Sequence, residues 1–238
     1  MMGRFLEYPS AGATCRSYYA APEGGQIRAG VLVVPEAPGV GEHVQRRVDA
    51  LAAQGYAALA VDLYGQGRLA ANPDEARSWV GALKADPSLL LARLEDSLAA
   101  LRDHAGEGVP LSVAGYCFGG WCALELARSG APVRSVAVFH GSVASERGAA
   151  GLAGRSVLVC TGDADPFVPA SQLAAFADEM REAGIDSTVC LYSGVGHGFT
   201  DVNTPAMPGF AYSATADRRS WQSFLHLLAD HSIDTEPK

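Results

Sequence analysis

Residues 111–120 read LSVAGYCFGG, and the architecture of the chain can be worked out from them. The apolar residues 111–114 predict a short buried strand, and the residues after Cys117 predict a helix. Gly115 and Gly119 stand two positions before and after Cys117, where a Cβ would hinder a sharp turn from strand into helix. The pattern predicts a nucleophile elbow at the top of a sheet, with Cys117 at a helix N-terminus whose partial positive charge favours a thiolate. The alternative is a tight turn around a buried structural cysteine.

Strand-like and helix-like segments alternate along the rest of the chain. The predicted strands are Ile27–Val34, Tyr56–Val61, Val133–Phe139, Ser156–Cys160 and Ser187–Tyr192. The predicted helices cover about His43–Gln54, a segment from Pro73 behind an Asn72 cap, Pro87–His104, Phe118–Arg128, Ala170–Ala183 and Ala214–Ala229. Because such alternation is typical of parallel strands joined by helices, we predict an α/β protein with a mostly parallel central sheet and helices on both faces.

Length and composition narrow the class of protein further. The 238 residues suit one domain, residues 1–238, with residues 1–3 and 233–238 expected to be frayed. A net charge of −8 argues against binding to nucleic acid or to an anionic membrane. The chain shows no secretory signal and no apolar run of membrane-spanning length. Five cysteines without a CxxC pair argue against a disulfide framework or a zinc ribbon, and favour a reducing cytoplasm.

A candidate acid follows the strand Ser156–Cys160, where residues 162–169 read GDADPFVP. Ligands of parallel sheets bind at the carboxyl ends of the strands, so side chains at this position are candidates for a site. Asp165 is the expected partner of a catalytic histidine, and Asp163 is the second choice. The alternative is an Asp-Pro turn that only precedes a helix.

A candidate base follows the strand Ser187–Tyr192, where residues 196–199 read GHGF. The flanking glycines are expected to give His197 conformational freedom and room for a substrate beside it. Nucleophile, acid and histidine then follow one another in the chain order of a nucleophile elbow enzyme. His140 precedes the acid, so we expect it to be structural or to line the pocket. His43 is expected on a helix or at the surface.

Together the three motifs resemble those of the dienelactone hydrolase family of α/β-hydrolases, over a span from about Ile27 to Leu228. The resemblance implies an α/β-hydrolase fold and a catalytic triad of Cys117, His197 and Asp165. It also implies hydrolysis of an ester or lactone through a thioester, on a small-molecule substrate. Neither a metal nor an organic cofactor is expected.

The same resemblance covers the loop VVPEAPGV at residues 33–40. It implies that Glu36 lies near the cysteine and modulates the thiol. A carboxylate beside a thiol disfavours the thiolate, so the resting thiol is expected to be sluggish. The alternative is a solvated loop carboxylate. The backbone N–H groups of Ala37 and Phe118 are the expected oxyanion hole.

The resemblance predicts the catalytic triad more directly than it predicts the substrate. The family pattern implies an arginine four residues after the histidine, but this chain has Asp201, which repels a carboxylate. Arg77 lies only roughly in the region of a second expected arginine. A neutral lactone or ester is therefore at least as plausible as dienelactone. An apolar pocket is expected from the aromatic residues Tyr64, Trp79, Phe118 and Phe199.

Three other functions remain open at this point. The same fold with a thiol nucleophile also suits acyl or thioester transfer to an amine or alcohol. A non-catalytic binding module is possible because fold alone does not imply activity. A nucleotide-binding protein is disfavoured: Gly39-Val40-Gly41 follows a strand, but Val44 stands where the third glycine of GxGxxG belongs.

Overall fold

The structure is a computed structural model and describes residues 3–24, 26–205 and 207–233. Within these ranges the strands are β1 (Arg4–Ser10), β2 (Ala13–Ala20), β3 (Gly30–Val34), β4 (Ala57–Ala60), β5 (Leu111–Tyr116), β6 (Ser135–Phe139), β7 (Ser156–Gly162) and β8 (Asp186–Tyr192). The α-helices are α1 (Glu42–Ala53), α2 (Pro73–Ala85), α3 (Pro87–Ala105), α4 (Phe118–Arg128), α5 (Ala170–Ala183) and α6 (Ala214–Asp230), and a 3₁₀ turn covers Ala149–Leu152. None of the described helices is both long and apolar enough to cross a bilayer.

The strands form one sheet in the order β1-β2-β4-β3-β5-β6-β7-β8. β3 pairs with β4 in parallel, and β6, β7 and β8 form parallel ladders with one another. Every residue of β3, β4 and β6 is buried, as expected for parallel strands that are covered on both faces. The predicted mostly parallel α/β sheet is therefore confirmed.

By its internal contacts the chain divides into two compact units. One contains the chain up to Val113 and the segment after Asp230, and the other is Ala114–Asp230. The expectation of a single domain stays a prediction. Of the ends expected to be frayed, residues 1–2 and 234–238 lie outside the described residues. The N–H of Gly3 donates to Asp49 at 2.9 Å, and the N–H of Ile233 donates to the carbonyl of Arg28 at 2.9 Å.

Sequence analysis missed the antiparallel hairpin of β1 and β2, because polar and apolar residues mix along both strands. β2 also pairs antiparallel with β4. The hairpin turns at Ala11 and Gly12, which both have positive φ, at 41° and 77°. Two positive φ values are typical of the tight turns that match strand twist. The glycine in this turn was the available signal.

Helix boundaries follow the sequence closely where a capping residue is present. The side chain of Asn72 accepts hydrogen bonds from the N–H groups of Asp74 and Glu75, so α2 begins at Pro73 as predicted. α4 and α5 have the predicted bounds, and α5 ends at Ala183 because the next residue, Gly184, adopts a left-handed conformation that stops the helix.

Candidate active site

The turn between β5 and α4 is as sharp as the glycine pattern predicts. Cys117 has φ 54° and ψ −119°, a conformation that is strained for a residue with a Cβ. A Cβ on Gly115 would lie 2.0 Å from the carbonyl oxygen of Gly119, so only glycine fits at position 115. The N–H of Cys117 donates to the carbonyl of Phe139 at the end of β6, at 3.0 Å. The sulfur is thus presented at the carboxyl ends of the strands.

Three predicted site residues form one hydrogen-bonded chain within the unit Ala114–Asp230. Nε2 of His197 lies 3.1 Å from Sγ of Cys117, and Nδ1 lies 2.8 Å from Oδ2 of Asp165. His197 and Asp165 are each 4% exposed, whereas Cys117 is only partly buried. The imidazole is therefore shielded from water while the thiol remains reachable.

Asp165 has a second partner that fixes its orientation. Its Oδ1 accepts the N–H of Phe167 at 2.8 Å, which leaves Oδ2 for the imidazole. Asp163, the second choice for the acid, is exposed and instead accepts hydrogen bonds from Gly194 N–H at 2.6 Å and Ser193 Oγ at 3.1 Å. Asp163 therefore braces the loop that precedes His197, and Asp165 contacts the histidine itself.

The two glycines around His197 have different reasons: Gly196 allows close backbone packing, and Gly198 adopts φ 70°, a left-handed conformation that favours glycine. A Cβ on Gly196 would lie 2.5 Å from the carbonyl oxygen of Gly209. The N–H of His197 donates to that same carbonyl at 2.7 Å, and the carbonyl of His197 accepts the N–H of Ala211 at 3.2 Å. Both backbone groups of His197 are thus held by the segment 209–211.

The hydrogen bonds of His197 change its proton affinity. Burial disfavours the charged imidazolium, but the hydrogen bonds to Asp165 and Cys117 outweigh this effect and raise the pKa of His197 to about 9. The histidine therefore carries a proton at neutral pH. An imidazolium beside a sulfur is the arrangement that supports a thiolate nucleophile.

Aromatic rings surround His197 at short distances. The ring centroids of Phe167 and Phe210 each lie 4.9 Å from its centroid, and that of His140 lies at 5.1 Å. His140 is buried and its Nε2 lies 2.8 Å from Oγ1 of Thr200, in agreement with a structural role. Phe199 is fully buried and packs against His140 at 5.2 Å. Sequence analysis missed Phe167 and Phe210, although the position of Phe167 two residues after Asp165 was a signal.

The first unit holds Glu36 in a hydrogen bond with His43. Nδ1 of His43 pairs with Oε1 of Glu36, and Nε of Arg47 donates to the other ring nitrogen of His43 at 3.2 Å. Burial alone would raise the pKa of Glu36, but the charge and hydrogen bond of His43 and the charge of Arg47 lower it. Glu36 is therefore not a solvated loop carboxylate. His43 belongs to α1 as expected, but it is buried and not at the surface.

Ala37 and two of the predicted pocket aromatics, Tyr64 and Trp79, lie in the same unit as Glu36. The hydroxyl of Tyr64 donates to the carbonyl of Ala37 at 2.6 Å, and the rings of Tyr64 and Trp79 are 4.8 Å apart. The guanidinium of Arg68 lies over the Trp79 ring at 4.8 Å. The roles expected for Glu36 and Ala37 in activating the thiol and binding an oxyanion stay predictions.

The two positions discussed for carboxylate binding have other partners. Oδ1 of Asp201 accepts the N–H of Asn203 at 3.1 Å, within its own turn. Arg77 pairs with Asp74 on the exposed surface of α2. Surface pairs of this kind contribute little to stability.

Comparison with known proteins identifies the family of the chain. A model of the dienelactone hydrolase family matches residues 15–232. A putative carboxymethylenebutenolidase from Yersinia pestis is 27% identical over 96% of this chain and 88% of its own length. A probable 2-oxo-3-(5-oxofuran-2-ylidene)propanoate lactonase from Bradyrhizobium sp is 24% identical over 95% of this chain and 94% of its own.

Solved structures give the same result. That of a dienelactone hydrolase-like promiscuous phosphotriesterase from metagenomic libraries is 33% identical with a TM-score of 0.88, over 97% of this chain and 98% of the other. A putative dienelactone hydrolase from Klebsiella pneumoniae, 22% identical over 95% of this chain and 98% of its own, has a TM-score of 0.81 and shows the shared fold. The chain is therefore a member of the dienelactone hydrolase family, an α/β-hydrolase that acts on ester or lactone bonds of small molecules.

Proposed function

We propose that the protein cleaves an ester or lactone through a Cys–His–Asp triad made of Cys117, His197 and Asp165. The observation that carries this proposal is the unbroken chain of hydrogen bonds from Sγ of Cys117 through the imidazole of His197 to Oδ2 of Asp165. Three separate loops supply these groups, and each loop follows a different strand. Such convergence of a nucleophile, a base and an orienting acid is the arrangement required for covalent catalysis.

In the first step the Cys117 thiolate attacks the carbonyl carbon of the ester. The C–S bond forms as the C–O bond to the alcohol breaks, and the alcohol oxygen takes a proton from Nε2 of His197. Asp165 stabilises the imidazolium before that transfer and keeps the ring in the correct orientation. The products of this step are a thioester on Cys117 and the free alcohol, or the opened ring when the substrate is a lactone.

In the second step water hydrolyses the thioester. The neutral imidazole takes a proton from water, the oxygen attacks the thioester carbonyl, and the C–S bond breaks to release the acid and the thiolate. The oxyanion in both steps accepts a hydrogen bond from the N–H of Phe118, the first residue of α4. Loss of one such donor typically costs about 2.7–4 kcal/mol of transition-state stabilisation.

The substrate we favour is a neutral ester or lactone. Asp201 stands where a cation was expected, so a carboxylate on the substrate would meet a like charge. Carboxylated dienelactones are the alternative, because the similar proteins from Yersinia pestis and Bradyrhizobium sp are described as a carboxymethylenebutenolidase and a lactonase. We also propose a reducing compartment such as the cytoplasm, because the mechanism needs Cys117 as a free thiol.

The test compares the wild type with Cys117→Ala on p-nitrophenyl acetate and on dienelactone. We expect hydrolysis to fall at least about a thousandfold in Cys117→Ala, because the nucleophile is lost. Mass spectrometry of an acid quench should find an acetyl group on Cys117, and Cys190→Ala, which removes a different partly exposed thiol, should retain that adduct. Full activity of Cys117→Ala would contradict the proposal. Cysteine-dependent hydrolysis of only one of the two esters would identify the substrate class.

A second activity has one specific observation in its favour. The 33% identical solved structure belongs to a promiscuous phosphotriesterase, so a thiolate attack on phosphorus deserves a direct assay. We expect slow release of p-nitrophenol from paraoxon that disappears in Cys117→Ala. Acyl transfer is distinguished in the ester assay by adding an alcohol or amine acceptor and analysing the products.

A further inference from the structure

Two phenylalanines next to His197 have no part in the chemistry described above. Phe167 and Phe210, hereafter the aromatic pair, each lie 4.9 Å from the imidazole by ring centroids and 5.5 Å from one another. Phe167 is 55% exposed although it contacts a histidine that is 4% exposed. The aromatic pair therefore presents apolar surface to solvent directly beside the proposed proton donor.

Neighbouring backbone contacts hold the aromatic pair in place. The N–H of Phe167 donates to Asp165, so this ring is tied to the proposed catalytic acid. Phe210 follows Gly209, where a Cβ would lie 2.8 Å from the ring of Pro166. The chain segments that precede the two rings thus pack closely against one another. A preformed apolar surface binds a ligand with a smaller loss of conformational entropy than a mobile one.

The charge of the surrounding loops selects among ligands. Segments 163–169 and 193–213 contain Asp163, Asp165 and Asp201, and their sequence contains no lysine or arginine. Apart from the Asp165–His197 pair, in which the charge of the imidazolium offsets that of the carboxylate, the charged side chains of these loops are Asp163 and Asp201, so an anionic ligand group near them would meet like charge. A neutral aromatic group can stack against either phenylalanine without such repulsion.

We propose that the aromatic pair binds the alcohol half of the substrate and selects a neutral aromatic alcohol. This inference rests on the proposed function, because it uses the proton transfer from His197 to the alcohol oxygen. That oxygen must come within hydrogen-bond reach of Nε2, so the group attached to it lies on the histidine side of the site. The acyl half, which stays on Cys117, does not contact the aromatic pair after the first step.

The test keeps the acyl group constant and changes the alcohol. 1-Naphthyl acetate and ethyl acetate form the same acetyl-enzyme, so a difference between them in the effect of a variant arises only before or during acylation. In Phe167→Ala and in Phe210→Ala we expect kcat/KM for 1-naphthyl acetate to fall about tenfold and that for ethyl acetate to change by less than about twofold. The rate at which a preformed acetyl-enzyme is hydrolysed should stay unchanged.

Two controls make the result specific. Leu191→Ala removes another large exposed side chain, 51% exposed on β8, and should leave both esters unaffected. 4-Carboxyphenyl acetate should be a poorer substrate than phenyl acetate for the wild type. An equal loss for both acetates, together with slower deacylation, would mean that the rings only support His197, and would overturn the proposal. Unchanged turnover of 1-naphthyl acetate in both variants would also overturn it.

A binding experiment separates this proposal from that of the triad. 1-Naphthol is the alcohol product, and its fluorescence reports binding without any chemistry. In Cys117→Ala we expect naphthol to bind, and the additional change Phe167→Ala should weaken binding about tenfold. If Cys117→Ala retains hydrolysis but naphthol binding depends on Phe167, the proposed triad is contradicted and the proposed role of the aromatic pair is supported. If hydrolysis depends on Cys117 but Phe167→Ala leaves naphthol binding unchanged, the proposal for the aromatic pair is contradicted and that for the triad is not.

Discussion

Cys117 and Cys190 are both partly exposed thiols, but the groups that surround them differ. Cys117 stands in the strained elbow after β5, 3.1 Å from the imidazole of His197. Cys190 lies on β8, the edge strand, opposite Cys160 of β7 in the parallel ladder. A hydrogen bond from Cys160 lowers the pKa of Cys190 to about 6, despite partial burial. A lowered pKa thus belongs to a thiol that has no histidine or acid contact among its described interactions.

The difference teaches that an ionised sulfur alone is not a catalytic nucleophile. Ester cleavage also needs a proton donor for the alcohol, and backbone N–H groups for the oxyanion. The elbow places Cys117 beside the N-terminus of α4 and beside His197. The described partners of Cys190 on β8 are Cys160, Ser223 and Tyr192, and none of them is a histidine or a carboxylic acid. Four predictions sharpen this contrast or break it.

The largest effect is expected when the orienting acid is neutralised. Asp165→Asn should lower kcat/KM by about 10³–10⁴-fold, because an amide neither stabilises the imidazolium nor fixes the correct tautomer. Asp163→Asn is the matched control on the same loop and should cost less than about tenfold, since the described hydrogen bonds of the Asp163 carboxylate go only to Ser193 and Gly194. Ester hydrolysis by the two purified variants measures this directly. Equal losses in both would contradict the distinction between the two aspartates.

The second effect is on the elbow itself. Gly115→Ala should lower the free energy of unfolding by about 3 kcal/mol or more, because its Cβ would lie 2.0 Å from the Gly119 carbonyl oxygen. Gly81→Ala makes the same change inside α2, where nothing lies within 4 Å, and should stabilise the protein by about 0.5–1 kcal/mol. Urea unfolding of both variants gives the comparison. A Gly115→Ala variant as stable as wild type would show that the elbow tolerates a side chain.

The third effect is a shift of the histidine titration. The pKa of His197 is raised from 6.5 to about 9, so the imidazolium persists up to that pH in the folded protein. Its stabilising contribution is fully present below about pH 6.5 and is lost as the pH rises through about 9. We expect kcat/KM to decline above about pH 9, as the proton for the alcohol is lost, and the imidazole NMR signal to titrate there. A midpoint near 6.5 in the wild type would refute this.

Sequence reasoning found the residues whose chemistry is local and missed those defined by packing. The elbow at Cys117 could be predicted because its glycines follow from steric limits within six residues of chain. Asp165 and His197 could be predicted because each follows a strand, and parallel strands bring their carboxyl ends to one edge. Phe167 and Phe210 were missed because sequence alone does not distinguish a phenylalanine that packs in the core from one that lies beside a functional site.

The first unit shows the same limit. Glu36 was selected by its motif, but its partner His43 was expected on a helix or at the surface, and helical position alone does not reveal burial at 6% exposure. The hairpin of β1 and β2 was missed because its polar residues hide the strand periodicity. The burial of His43 and the pairing of β1 with β2 therefore required the structure, whereas the cap at Asn72 and the elbow at Cys117 did not.

The smallest effect on activity is expected for the other thiol. Cys190→Ala should change ester hydrolysis by less than about twofold, because Cys190 contacts none of the three triad residues among its described interactions. Its own reactivity should be high: at about pH 7 iodoacetamide should label Cys190 in the Cys117→Ala variant, since a pKa of about 6 leaves most of this partly exposed thiol ionised. Cys160→Ala removes the hydrogen bond that lowers this pKa, and labelling at Cys190 should then slow about tenfold or more. If labelling is unchanged in Cys160→Ala, the acidity of Cys190 has another cause. If instead Cys190→Ala abolishes hydrolysis, the contrast between an acidic thiol and a catalytic one fails, because ester cleavage would depend on the thiol that lies outside the elbow.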